Sequence, residues 1–297
     1  MTLSRAACRL AFSVAGLRFC FTSESTEEPL GLPAEYTPFV SEHGSCDAVY
    51  TVAGARTAPA PEVAGDWLWQ NDLWRVGDTA DHGVLIAIRD AWEPEWRSVG
   101  CFHGGFKSGT LYPRGVAGSP AARMPFHHPH DRAIILSRLA FIGGGVVHSS
   151  CVAADGKAFL FVGSSGAGKT TMARLWRDAG ATLLNDERNI IRISPRGPLA
   201  GSSPWHGEEN QVTPATVPLA GVFYLKQAAC NEVRKLTSVE SVTRLFTNTL
   251  VPVFLQDGPR LILDAWADVL EAVPSYELSF TRDRRAIEAC RAAVSTS

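Results

Sequence analysis

The run Gly163-Ser164-Ser165-Gly166-Ala167-Gly168-Lys169-Thr170 constrains this chain more than any other feature. It fits the spacing G-x-x-x-x-G-K-[ST] at every fixed position. Glycines let the backbone curl with its N–H groups facing inward, forming a concave nest for anionic oxygens. The start of a following helix adds its partial positive charge at the same place. Lys169 is a mobile cation able to reach the β- and γ-phosphates of a triphosphate, and the Thr170 hydroxyl suits Mg2+. The flanks are of the required kind. An apolar β-type run (Phe159, Leu160, Phe161, Val162) precedes the loop, and an amphipathic helix with Met172, Ala173, Leu175 and Trp176 follows it. Thr171, in the first turn of that helix, is counted with the loop as a nucleotide-binding residue. ATP and Mg2+ are the expected ligands.

The rest of the composition fits a soluble globular chain. Its 297 residues are enough for one large domain or two modest ones, with 45% apolar and 20% charged residues. The formal charge of −2 and the lack of a long basic run argue against nucleic acid as a partner. Seven scattered cysteines form no C-x-x-C pair, so reduced thiols and a cytoplasmic location are expected. Near the N-terminus Arg18 interrupts the apolar stretch too early for a secretory or membrane-spanning segment, and no membrane partner is expected. Alternation predicts a β-hairpin there instead. Cys8, Leu10, Phe12 and Val14 share a face, Ala15-Gly16 turns, and Leu17, Phe19 and Phe21 continue.

Residues 1–128 read as a β-rich lobe, with residues 55–65 as a flexible connection. Trp67, Trp69, Trp74, Trp92 and Trp96 read as packing in a small sheet rather than as a ligand groove. At Pro129 the pattern changes. Asp131 reads as an N-cap for a helix carrying Ala133, Ile134, Leu136, Leu139 and Ala140, which Gly143-Gly144-Gly145 ends. Residues 129–297 then read as α/β. Strands are expected at 146–152, 158–162, 182–184, 189–193, 221–226 and 276–280, and helices at 169–179, 239–250, 261–273 and 283–294.

Phosphoryl chemistry needs more than a nest. Magnesium needs hard oxygen ligands, and a hydroxyl nucleophile needs a base. Asp186-Glu187 follow the apolar Leu183-Leu184 and supply adjacent carboxylates. In an open α/β sheet the C-terminal strand ends gather at the ligand crevice, so this pair is expected to face the phosphates. His148 lies in an apolar strand upstream of the loop; taken alone, a strand histidine is usually a packed one. His103 and the run Phe126-His127-His128-Pro129-His130 lack regular metal spacing. Arg282, Asp283, Arg284 and Arg285 read as a solvated helix cap.

Together His148, the loop ending in Lys169-Thr170, and Asp186-Glu187 resemble the HPr kinase/phosphorylase family. Its wider kin include tailoring kinases associated with lasso peptides, and its fold is shared with ATP-dependent phosphoenolpyruvate carboxykinase. Ser203-Pro204-Trp205-His206-Gly207-Glu208 and the run from Pro218 to Leu225 resemble stretches in HPr-kinase-like relatives. The likeness covers roughly residues 130–285. It implies an α/β, HPr kinase/phosphoenolpyruvate carboxykinase-like P-loop core preceded by the β-rich lobe. It implies that Asp186 takes the proton from an acceptor hydroxyl, that His148 assists it, and that Glu187, where the family has a second aspartate, helps hold the metal with Thr170 and Asp186. Lys169 counts among the catalytic residues. Glu208 or Glu209 stands near the family's downstream metal-binding glutamate. The signature that bifunctional members carry there is absent, which argues against HPr as substrate and against the reverse reaction.

The expected activity is transfer of a phosphoryl group from ATP to a hydroxyl, serine foremost, of a peptide, protein or small-molecule acceptor. A homo-oligomer is compatible with the sequence. The competing reading is a nucleotide-binding partner of a peptide-modifying complex that senses or hydrolyses ATP; it needs the nest but tolerates loss of Asp186. A GTP-type switch lacks its N-K-x-D stretch.

Overall fold

The fold is that of a computed structural model describing residues 9–24, 30–54, 59–89, 98–113, 126, 128–207 and 211–295. It is mixed α/β, built on two eight-stranded sheets. The chain divides into two units. One comprises Met1–Ser13, Leu17–Arg138 and Pro252–Gln256; the other comprises Val14–Gly16, Leu139–Val251 and Asp257–Ser297. The division falls inside helix α1 (His130–Phe141). No helix among the described residues is long and apolar enough to cross a membrane.

The first sheet holds β1 (Arg9–Val14), β2 (Leu17–Ser23), β3 (Ala48–Val52), β4 (Trp69–Gln70), β5 (Trp74–Asp78), β6 (Val84–Ile88), β7 (Ser98–His103) and β8 (Ser108–Pro113). Their order is β1-β2-β3-β8-β7-β6-β5-β4. The alternating Phe12, Phe19 and Phe21 turn one face inward, where Phe12 stacks on Phe19 and Phe21 at 5.3 and 6.0 Å, Phe12 meets Tyr36 at 5.0 Å, and Phe12 and Phe21 meet Phe126 at 5.1 and 4.9 Å. Cys8 of the expected hairpin, and Trp92 and Trp96, lie outside the described residues. Trp69 and Trp74 pack edge to face at 5.3 Å, and Phe254 lies 4.9 Å from Trp74. Asp131 is not an N-cap. It sits in the first turn of α1, buried, and accepts the Tyr36 hydroxyl at 2.9 Å.

The expectation of seven reduced thiols is overturned, because Cys20 and Cys46 form a disulfide. The cause is tertiary and leaves no mark on spacing. Parallel pairing sets Cys20 opposite Val49, and Asp47 is tied to Arg18 by two backbone-anchored hydrogen bonds of 2.8 and 2.9 Å. The segment entering β3 therefore runs beside β2 with the two Cα atoms 5.9 Å apart. The cytoplasmic assignment loses the footing that reduced thiols gave it.

The second sheet holds β9 (Gly144–Ala154), β10 (Lys157–Val162), β11 (Thr182–Asn185), β12 (Arg188–Arg192), β13 (Leu199–Ser202), β14 (Thr216–Gln227), β15 (Glu232–Lys235) and β16 (Ser275–Phe280). Its helices are α2 (Lys169–Asp178), α3 (Ser238–Thr247), α4 (Gly258–Ala272) and α5 (Arg285–Ser295). Strand alternation sorts the core into two layers. Phe159 and Phe161 point to one face, against Met172 and Trp176 of α2 and Ile287 and Cys290 of α5. Leu160 and Val162 point to the other, against Leu245 of α3 and Ile262, Trp266 and Val269 of α4. Gly143 alone ends α1, since Gly144 and Gly145 already belong to β9. Gly145 is there for close packing: a Cβ on it would lie 2.9 Å from the Trp266 ring.

Candidate nucleotide site

Strand β9 is the spine of the site. β10 pairs with it antiparallel, setting Val162 opposite Ser149. β11 also pairs with it antiparallel, setting Asn185 opposite Cys151. Two strands that pair the same stretch of β9 must lie on its opposite edges, and both run the same way. The chain therefore leaves β10 into the glycine loop and leaves β11 into Asp186-Glu187 at one end of the sheet. His148 stands there on β9, opposite Arg188, and the neighbouring Ser149 N–H donates to the Glu187 carbonyl at 2.9 Å. A uniformly parallel sheet was not needed; an antiparallel strand between the two brings loop and acids together.

The loop from Gly163 to Gly168 joins β10 to α2, with Ser164, Ser165 and Gly166 exposed. Gly168 caps the helix at φ 105°, a left-handed conformation that costs other residues strain. A Cβ there would also lie 2.6 Å from the Phe280 ring. Lys169 is largely buried, and its amine donates to the Gly163 and Ser164 carbonyls at 2.8 and 3.2 Å. Burial holds its pKa below the ordinary lysine value, and the Glu187 carboxylate works against that shift. Ser150 of β9 donates to the Lys169 carbonyl at 3.0 Å, fixing the first turn of α2 to the spine. Gln227, at the end of β14, donates to the Gly166 carbonyl at 2.7 Å. Thr170 and Thr171 follow in the first helical turn, both partly exposed.

Asp186 is buried, and its Oδ1 accepts the Gly207 N–H at 3.0 Å. Glu187 is more open and pairs with Arg188 at 3.5 Å. His148 is held below the ordinary imidazole pKa by burial first, then by the Lys169 charge, with Arg188 adding to the effect and Glu187 opposing it. Strand pairing is what sets His148 and Glu187 at the sheet end from which the Lys169 loop departs. Near neutral pH the ring is uncharged.

The structure thus gathers the glycine loop, Lys169, His148 and the acidic pair. Glu208 and Glu209 lie outside the described residues, as does His127. The remaining histidines of that run diverge: His128 faces Asp131 at 3.9 Å, while His130 is fully buried with Nδ1 3.4 Å from the Ser98 hydroxyl. No group of three or more His, Cys, Asp or Glu among the described residues is arranged to hold a metal by itself. Asp283 pairs with Arg285 at 2.7 Å, in keeping with a helix cap. Asn185, Arg188 and Gln227 carry no motif in the sequence, and Gly207 stands there only as part of the run Ser203–Glu208. Asn185 left one signal: an asparagine entering a charged turn invites a side-chain-to-backbone clip. No protein-family model matches this chain, and no curated protein is found to be similar to it.

Proposed function

We propose that the chain is an ATP- and Mg2+-dependent kinase with a HPr-kinase-like second unit, transferring the γ-phosphoryl group to a hydroxyl of a peptide, protein or small molecule. One observation carries this reading. β10 and β11 flank β9 in the same direction, so the phosphate nest and the carboxylates share one sheet end with His148 between them. A nest alone serves binding; a nest that shares its sheet end with a pair of carboxylates is suited to transfer.

The chain's own groups divide the work. Backbone N–H groups of residues 163–168 and the Lys169 ammonium neutralise the phosphate oxygens and keep the transferring group in line. The Asp186 carboxylate takes the proton from the acceptor hydroxyl as its oxygen attacks the γ-phosphorus and ADP departs. His148 offers hydrogen-bonding capacity at the same sheet end, opposite Arg188. The donor set of the Thr170 hydroxyl and the Glu187 carboxylate is hard oxygen throughout, which would fit Mg2+ shared with a nucleotide and leave Asp186 to act as the base. When bound, that ion supplies charge neutralisation between the outer phosphates.

The test is phosphoryl transfer from γ-labelled ATP to candidate hydroxyl acceptors, compared between the native chain and Asp186→Asn. Binding of Mg–ATP is expected to persist in the variant while transfer falls roughly 100-fold or more. Transfer at the native rate in Asp186→Asn would remove the assigned base. A native chain that binds Mg–ATP yet labels no acceptor would favour a nucleotide-sensing module instead.

A further inference from the structure

We propose that Gly207 and Asn185 are positioning residues that aim the Asp186 carboxylate, an inference that rests on the kinase reading. Two independent contacts support it. The first is at Gly207, whose N–H holds Asp186 Oδ1 at 3.0 Å. The backbone of Gly207 lies flat against the acid: a Cβ built on it would be 2.9 Å from Asp186 Oδ2 and 3.0 Å from the Glu187 Cβ. Position 207 thus forms one wall of the carboxylate's space, and a side chain there would enter it.

The second contact is Asn185, fully buried at the end of β11. Its Oδ1 accepts the Glu187 and Arg188 N–H groups at 2.8 and 3.0 Å, shaping the acidic turn. An ordinary side-chain turn needs no more than that. Here the same amide also donates to the carbonyls of Ser203 and Trp205, both at 3.0 Å. Ser203 answers from the other side, its hydroxyl donating to the Arg188 carbonyl at 2.7 Å. One side chain therefore ties the turn that carries Asp186 to the segment that carries Gly207. The acid's direction is set by backbone held from two sides.

The two roles predict a split between stability and rate. In Gly207→Ala the new methyl meets the far end of the Asp186 side chain first, and rotation of that carboxylate relieves the closest contact, 2.9 Å to Oδ2. Folding then loses little while the base loses its aim, and small misplacements of a reacting group cost rate steeply. Asn185→Ser keeps a short acceptor for the turn but cannot span to Ser203 and Trp205.

The experiment uses the full chain, with water as the acceptor. Release of inorganic phosphate from γ-labelled Mg–ATP is measured beside Mg–ATP affinity and thermal stability, for the native chain, Gly207→Ala, Asn185→Ser, Asp186→Asn and the Gly207→Ala/Asp186→Asn pair. Both positioning variants are expected to keep Mg–ATP affinity within about twofold while turnover falls about tenfold or more. In the Asp186→Asn background Gly207→Ala should slow the residual reaction no further, because its effect passes through Asp186. If Asn185→Ser fails to fold, Gly207→Ala decides. Native turnover in Gly207→Ala overturns the inference and leaves the kinase reading standing. So does an equal loss of affinity and rate, or a full further loss in the Asp186→Asn background. A native chain that neither binds nor hydrolyses Mg–ATP overturns the kinase reading and this inference with it.

Discussion

His148 shows how a strand residue acquires chemistry from its neighbours. By its own strand pattern it is indistinguishable from a packed histidine; the structure sets it opposite Arg188, next to Ser149, whose N–H donates to the Glu187 carbonyl. Its depressed pKa carries a testable sign. Unfolded, the ring titrates near its ordinary value of 6.5; folded, burial and the Lys169 charge resist protonation. As pH falls through that ordinary value the unfolded chain takes up a proton the folded one refuses, so stability declines until the folded ring also protonates. Above that window the residue contributes no pH dependence. Denaturation of the native chain and His148→Gln between about pH 7 and pH 5 should show a shallower loss of stability in the variant. Identical slopes would mean that His148 is not held neutral. Asp186 and Glu187 were readable because an apolar strand ran straight into them. Asn185 and Gly207 were not, since their partners lie 18–21 residues away in the chain.

Among elements, the strand–loop–helix around residues 163–178 was the most legible, because each of its parts has a local cause. Gly168 is the clearest. Its φ of 105° and the Phe280 ring 2.6 Å from any added Cβ exclude a side chain on two grounds. Gly168→Ala is expected to destabilise the chain by roughly 1–3 kcal/mol and to weaken Mg–ATP binding. Denaturant midpoints and nucleotide titration check both effects, and a variant with native stability and affinity would contradict the conformation given to the loop. Other elements hid for physical reasons. β15, Glu-Val-Arg-Lys, is an edge strand with one apolar residue, Val233, packed on the core, and its Arg234 pairs with Glu240 and Glu277, so no alternation shows. β13, Leu-Ala-Gly-Ser, is short and made of small residues, so its pairing with β12 and β14 leaves no periodicity. The triple glycine reads as a stop in sequence, whereas two of its members are strand positions where bulk is forbidden by packing.

At the scale of the molecule, the α/β character and the β-rich first part followed from alternation and from the helix patterns after Pro129. The sheet arrangement did not. β9 and β14 are long strands that each serve several partners, and which partner takes which half is decided by tertiary packing. The Cys20–Cys46 bond belongs to the same class of facts, arising from a parallel pairing between distant segments. Everything proposed about function depends on the nest and Lys169 receiving a triphosphate. The lysine amine now donates to two loop carbonyls, and phosphate oxygens are the stronger, charge-assisted acceptors. Calorimetric titration of Mg–ATP into the full chain and into Lys169→Ala tests this most directly. Saturable binding of one nucleotide by the native chain is expected, weakened roughly tenfold to a hundredfold in the variant. No saturable binding by the native chain, or equal affinity in Lys169→Ala, would contradict it.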